Sequence, residues 1–186
     1  MQGEDLADGL PGSVFLVGPM GAGKTAVGRR LARLLGLRFV DSDAAIVERT
    51  GVDIAYIFEK EGESGFRQRE RDAIEALTRE PGIVLATGGG AVLLPENRER
   101  LAARGTVVYL QASVAQQLAR TRSGTHRPLL RTADPAARLA ELMEIREPLY
   151  REVARLVVPT DGRKVAAVAT EIARRLPASA DTEQHA

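Results

Sequence analysis

Gly18-Pro19-Met20-Gly21-Ala22-Gly23-Lys24-Thr25 is the stretch that decides the fold. It fits G-x-x-x-x-G-K-[ST]. It sits between an apolar run at 13–17, which reads as a buried strand, and a segment at 24–35. In that segment Val27, Leu31, Leu34 and Leu35 recur at helical spacing until Gly36 stops it. The order has a physical reason. Glycines let the backbone wrap a phosphate chain with its N–H groups turned inward, and the helix that follows adds its positive N-terminal end. The motif points to a nucleotide held by Gly21, Ala22, Gly23, Lys24, Thr25 and Ala26. Lys24 would reach the β- and γ-phosphates and the Thr25 hydroxyl would serve Mg²⁺. The competing reading is a Gly-rich turn that merely joins strand to helix. Only three of the 26 basic residues are Lys, so a lysine at this position is no accident of composition.

Working outward, short apolar runs at 38–41, 83–86, 106–110 and 156–158 read as strands. Helical spacing marks 43–50, 53–60, 65–79, 96–103, 113–122, 134–155 and 163–176. Gly51 separates the first pair, Asp134 caps the long helix, and Pro148 is expected to kink or interrupt it. Strands alternating with helices are the signature of an α/β fold, a parallel sheet covered on both faces. The stretch 123–133 has no apolar period, and four arginines with no acid fall between Arg120 and Arg131. It is expected to be a mobile lid over the triphosphate. Residues 1–12 and 177–186 read as flexible segments flanking one domain at 13–176.

The composition narrows the function. A chain of 186 residues, 44% hydrophobic, makes one domain with one sizeable core. Its 26 basic and 25 acidic residues leave a net charge of +1, which argues against gripping nucleic acid or an anionic membrane through bulk charge. With no cysteine and two histidines, disulfide scaffolds, thiolate zinc sites, iron–sulfur clusters and cysteine nucleophiles are excluded. No apolar run approaches the roughly 20 residues of a membrane span, and the first dozen residues lack the apolar region of a signal peptide. The reading is a cytoplasmic protein, monomeric because one domain of this size can cover its own core.

A phosphate loop does not name a reaction. The strand at 83–86 runs into Thr87-Gly88-Gly89-Gly90 and carries no Asp, so the acid beside the metal must come from elsewhere. Asp41 and Asp43 end the strand at 38–41. If the chain stays extended, i and i+2 point to one side and face a cleft at the carboxyl edge of the sheet. One would support the metal and the other accept a hydroxyl proton. Asp43 as the plain N-cap of a helix beginning near Ala44 fits the spacing equally well. At Gly88, Gly89 and Gly90 the missing side chains would let a small polar ligand reach the backbone N–H groups. Glu70, three residues after Arg67, is spaced to orient it, and Arg146 lies on the long helix. Arginine forks suit carboxylates and phosphates. In a chain where 23 of the 26 basic residues are Arg, either one is also readable as a solvated surface residue.

Taken in order, the pieces resemble one family, shikimate kinase, a small member of the nucleoside-monophosphate-kinase-like P-loop group. They are G-x-x-G-x-G-K-T-x-x-G-x-x-L-A (18–32), D-S-D (41–43), G-F-R-x-x-E (65–70), T-G-G-G (87–90), R-P-L-L (127–130) and R-x-x-x-Y (146–150). The resemblance spans 13–176. It implies ATP-dependent phosphorylation of the shikimate 3-hydroxyl, a step toward chorismate and the aromatic amino acids. It also implies a five-stranded parallel sheet in the order 2-3-1-4-5. By the same resemblance Lys24 and Thr25 serve ATP and Mg²⁺, and Asp41 supports the metal. Asp43, Arg67, Gly89 and Arg146 would bind shikimate, with both arginines on its carboxylate. Arg127 would be the lid arginine on the phosphates, and Arg120 would flank adenine. Arg163 would lie near the same base, on a looser match. Two rivals remain at this stage: a kinase of another hydroxylated acid such as gluconate, and a non-catalytic P-loop module that binds nucleotide.

Overall fold

β1 (Val14–Val17) is buried at every residue and forms the middle of the sheet. In the computed structural model, which describes residues 12–121 and 132–176, all pairings are parallel and the order is β2-β3-β1-β4-β5. The other strands are β2 (Arg38–Asp41), β3 (Ile83–Ala86), β4 (Thr106–Gln111) and β5 (Leu156–Pro159). The helices are α1 (Lys24–Leu35), α2 (Ser42–Thr50), α3 (Ile54–Leu77), α4 (Pro95–Arg104), α5 (Val114–Thr121), α6 (Pro135–Val153) and α7 (Val165–Arg175). The expected strand order is borne out. The segments 1–11 and 177–186, and the expected lid apart from Thr132 and Ala133, lie outside the described residues.

The alternation within β1 divides the core in two. Val14 and Leu16 face α1 and α7 through Val27, Leu31, Val168 and Ile172. Phe15 and Val17 face the other layer, with Ile74 and Leu77 of α3, Leu101 of α4, and Tyr150 and Val153 of α6. Side chains like Phe15 and Leu16, fully buried on opposite faces, are the kind whose truncation to Ala costs about 2–5 kcal/mol. Because the strands are parallel, β1, β2 and β3 deliver their following loops to one edge. The phosphate loop, Asp41–Asp43 and the glycine triplet therefore meet beside β1, where successive connections change direction.

The helices expected at 53–60 and 65–79 are both present, as the two stretches of α3 on either side of a kink at Gly62 (φ 70°, ψ −176°), the first capped by Asp53, which accepts from Tyr56 N at 2.7 Å. Two expectations need correction. Pro148 does not interrupt α6. It lies on the exposed side, where water can serve the Glu144 carbonyl left without its i+4 donor, while Leu142, Arg146, Tyr150 and Val153 hold the buried side. Nor does the chain stay extended after β2: helix α2 begins at Ser42.

Candidate active site

The loop between β1 and α1 has the conformation its glycines foretell. Gly18, Gly21 and Gly23 adopt φ of 145°, 78° and 90°, a region L-side chains rarely enter. Gly23 caps α1 with no side chain, and no acidic residue occupies the first turn. The free N–H groups and positive end of α1 are thus left to an anion. The Lys24 ammonium folds over the loop and donates to the carbonyls of Gly18 and Pro19 at 2.7 and 2.8 Å. A cleft of about 370 Å³ opens here, lined by Met20, Gly21, Gly23, Lys24, Thr25, Ala26, Asp41, Asp43, Thr87, Gly88, Gly89 and Arg120. Ala22, by contrast, is fully buried beneath the loop.

Asp41 and Asp43 share this cleft, though not by the extended geometry the sequence suggested. Asp41 is itself the N-cap of α2: its Oδ1 accepts from the N–H groups of Asp43 and Ala44 at 3.0 and 3.3 Å. Its Oδ2 accepts the Thr25 hydroxyl at 2.8 Å. Asp43, in the first turn of α2, is therefore neither a strand residue nor the cap, and its carboxylate turns toward Gly88. The contact between Thr25 and Asp41 brings a hydroxyl and a carboxylate oxygen together beside the phosphate loop, a hard-oxygen donor set that fits Mg²⁺. Among the described residues no cluster of three or more His, Cys, Asp or Glu forms a metal site. A few protein oxygens with substrate phosphates completing the shell is the usual magnesium arrangement.

Beyond the cleft lies a buried group of charges from two helices. Arg67 of α3 donates to Glu70 at 2.6 Å and to Glu63 at 3.1 Å. Arg146 of α6 is buried, with no carboxylate in ion-pair range among the described residues. The surface-residue reading of both is overturned. The glycine triplet exists to let these groups in: a Cβ at Gly88 would stand 2.5 Å from Glu70 Oε1 and 3.0 Å from Asp43 Oδ1, and one at Gly90 would collide with the Arg67 guanidinium. The expected ligand approach is thus first an approach of the protein's own side chains. Gly88 N–H is occupied as well, donating to Ser42 Oγ at 3.0 Å, whereas Gly89 and Gly90 N–H have no acceptor among the described residues.

The electrostatics follow. Burial pushes the Glu70 carboxyl up, Arg67 pulls it back, and Asp43 pushes it up again, leaving it raised. Burial lowers Arg67, but Glu70 and Glu63 more than reverse this and hold it cationic. Arg146 is lowered, by burial above all and by the neighbouring Arg67. Two guanidiniums, one buried and one largely so, of which only Arg67 is ion-paired among the described residues, are a ready seat for an anionic group.

On the opposite flank Arg120 of α5 donates to Gly21 O at 2.9 Å and reaches Thr160 O at 3.4 Å. Arg163 donates to Pro159 O at 3.0 Å and pairs with Glu171 at 2.7 Å, and it does not line the cleft. Its backbone N–H shares the Thr160 carbonyl with Arg120. Arg127 lies outside the described residues. Ser42 carries no signal in the sequence beyond its place between the two aspartates. Tyr150 entered only as the end of a motif; its i+4 spacing from Arg146 was the available signal.

A parallel sheet in the order 2-3-1-4-5, a phosphate loop on its central strand and a pair of converging arginines one loop away are the features of a P-loop kinase of small acidic molecules. The family model described as shikimate kinase matches residues 20–177. A shikimate kinase from Halorhodospira halophila is 59% identical over 166 residues, covering 89% of this chain and 94% of the relative. A solved structure, shikimate kinase from Acinetobacter baumannii in complex with shikimate, superposes with a TM-score of 0.87 at 50% identity, covering 88% of this chain and 92% of that one. A gluconokinase from Sinorhizobium meliloti, at 20% identity and a TM-score of 0.57 over 90% of this chain and 94% of that one, shares the fold alone. The chain belongs to the shikimate kinase family.

Proposed function

We propose that this chain transfers the γ-phosphoryl group of ATP to the 3-hydroxyl of shikimate, giving shikimate 3-phosphate and ADP. The observation that carries this reading is the meeting of Arg67, largely buried, and Arg146, buried, from different helices, at the glycine triplet beside the phosphate loop. Their charge calls for a carboxylate, and the nearby Asp43 carboxylate calls for a hydroxyl. Shikimate supplies both on one ring.

In this reading the first turn of α1 and the backbone of Gly21–Thr25 hold the phosphates, and Lys24 leaves its loop carbonyls to reach the β- and γ-phosphates. Thr25 and Asp41 would hold Mg²⁺, which when bound offsets phosphate charge. Arg67 and Arg146 clamp the carboxylate and so fix the ring. Gly89 and Gly90 offer their N–H groups to it, while Gly88 gives its own to Ser42. Asp43 accepts a hydrogen bond from the 3-hydroxyl and aims its oxygen at the γ-phosphorus. As the new O–P bond forms and the bond to ADP breaks, the hydroxyl proton passes to Asp43. Transfer of this kind is loose, so orientation contributes more than early deprotonation. Arg120 flanks the adenine and Arg163 supports it from behind. Arg127 completes the donor side, an assignment supported by the R-P-L-L motif.

A cytoplasmic monomer belongs to the same reading. Among the described residues no helix is long and apolar enough to cross a membrane, and both faces of the sheet are covered by the chain's own helices. The test is coupled ADP release with shikimate, with gluconate and with no acceptor. Turnover with shikimate alone is expected; equal turnover with gluconate, or none with either, overturns the reading.

A further inference from the structure

The middle of the glycine triplet is held by a group that no part of the mechanism above uses. The Tyr150 hydroxyl donates to the Gly89 carbonyl at 2.5 Å. The residue is fully buried on α6, and its ring stacks on Tyr109 with centroids 5.0 Å apart and planes at 27°. One turn earlier on the same helix, the Arg146 guanidinium interacts with the same hydroxyl. Gly89 itself lies between two partners: a Cβ there would stand 3.5 Å from both Arg146 Nη1 and Met20 N of the phosphate loop.

A Gly-Gly peptide is the least restricted unit in the backbone, so its plane must be set from outside. The other triplet groups have anchors. Ser42 takes the Gly88 N–H at 3.0 Å, Ala91 N–H donates to Gly88 O at 3.1 Å, and Leu93 N–H donates to Gly90 O at 3.0 Å. For the peptide joining Gly89 to Gly90, the anchor is Tyr150. C=O and N–H of a trans peptide point in opposite directions. Pinning Gly89 O to α6 therefore turns the Gly90 N–H away from α6.

We propose that Tyr150 is a positioning residue for the acceptor: its hydroxyl sets the plane of the Gly89–Gly90 peptide and registers Arg146 against it. The acceptor carboxylate and ring then meet a fork and N–H donors already aligned. This rests on the reading that the acceptor lies at the triplet. Tyr150 touches neither substrate and acts through Gly89 and Arg146. Burial pushes its hydroxyl well above the ordinary tyrosine value, which keeps it a proton donor throughout the working pH range.

The experiment compares Tyr150→Phe with Tyr109→Phe, reading KM for shikimate, KM for ATP, kcat and the unfolding midpoint. Tyr150→Phe keeps the ring and the stack, and is expected to raise KM for shikimate by roughly 10- to 100-fold while KM for ATP changes less than about twofold. Tyr109→Phe removes a buried hydroxyl that has no partner among the described residues, and should leave both constants unchanged. Should Tyr150→Phe fold poorly, Tyr150→4-fluorophenylalanine fills the same space without donating, and Tyr150→4-aminophenylalanine restores a donor. High KM in the first and recovery in the second support the proposal. Equal rises in both KM values, equal effects of the two tyrosines, or no recovery with the amine overturn it. A wild-type protein with no shikimate-dependent turnover overturns the underlying reading as well. An active wild type with an unaltered Tyr150→Phe overturns this proposal alone.

Discussion

Gly90→Ala separates the acceptor pocket from the fold better than any truncation. At φ −99° and ψ 5° the backbone of Gly90 suits alanine, so no strain arises from the main chain. The added methyl would stand 2.5 Å from Arg67 Cζ, whereas ordinary contact begins at 3.4 Å, so the guanidinium must retreat by about 1 Å. Arg67 is a flexible side chain, and its retreat stretches its 2.6 Å bond to Glu70 and its 3.1 Å bond to Glu63 without opening a hole. Stability should fall by less than about 1 kcal/mol. Binding is less forgiving, because a bidentate clamp tolerates about 0.5 Å of misplacement and a shift of about 1 Å costs on the order of 10²-fold. That corresponds to about 2.7 kcal/mol of transition-state stabilisation. Steady-state kinetics with shikimate varied at saturating ATP, and the reverse, give the two specificity constants; thermal melts give the control. We expect kcat/KM for shikimate to drop about 100-fold, with KM for ATP within about twofold of wild type and the midpoint nearly unmoved. A variant within about threefold of wild type toward shikimate would refute the placement of Arg67 at the acceptor.

Three further outcomes are expected. Lys24→Ala should lower kcat by about 10²-fold or more with an unchanged melting midpoint, since Lys24 spans a loop and leaves no core cavity; unfolding in parallel with lost activity would assign it a structural role. Asp43→Asn should reduce kcat about 10²-fold with ATP affinity intact, and because Asp41 caps α2, helicity should not change; wild-type kcat would remove Asp43 from the reaction. Glu70 keeps its proton to higher pH in the fold than in the unfolded chain, so its contribution to stability is fully present below the ordinary value of 4.5 and diminishes as pH rises toward the folded value. Melts of wild type and Glu70→Gln from pH 4 upward should therefore show wild type losing ground to the variant as pH rises; parallel curves would show that Glu70 titrates normally.

The phosphate loop was legible because its geometry is written in one contiguous stretch: three residues must adopt positive φ, and all three are glycine. The sheet order followed from resemblance, and the alternation of elements already required parallel strands. What escaped was set by side chains turning back on the chain. Asp41 ends a strand by pattern, yet its own carboxylate caps the next two N–H groups and starts a helix at once. That choice carries Ser42 inward to take the Gly88 N–H, so the residue between two obvious aspartates became a positioning group no spacing rule marks. Pro148 misled for the opposite reason: a local rule against helix was overridden by four buried neighbours on the far side of α6.

The arginines carry the argument furthest. From sequence, Arg67 and Arg146 are two of 23. The place that Arg67 takes depends on a third segment having no side chain at 90. The collision at Gly90 and the close approach at Gly88 make T-G-G-G and G-F-R-x-x-E two halves of one interface, unreadable separately. A glycine triplet with a surface arginine would be only a turn, whereas here a Thr or Ala at 90 would meet Arg67 and one at 88 would meet Glu70 and Asp43. The charge on Arg146 sharpens the point: burial and Arg67 both work against it, and Tyr150 and Glu63 offset this only in part. A protein bears such a cost where a ligand relieves it, and under the proposed function that ligand is the carboxylate of the acceptor.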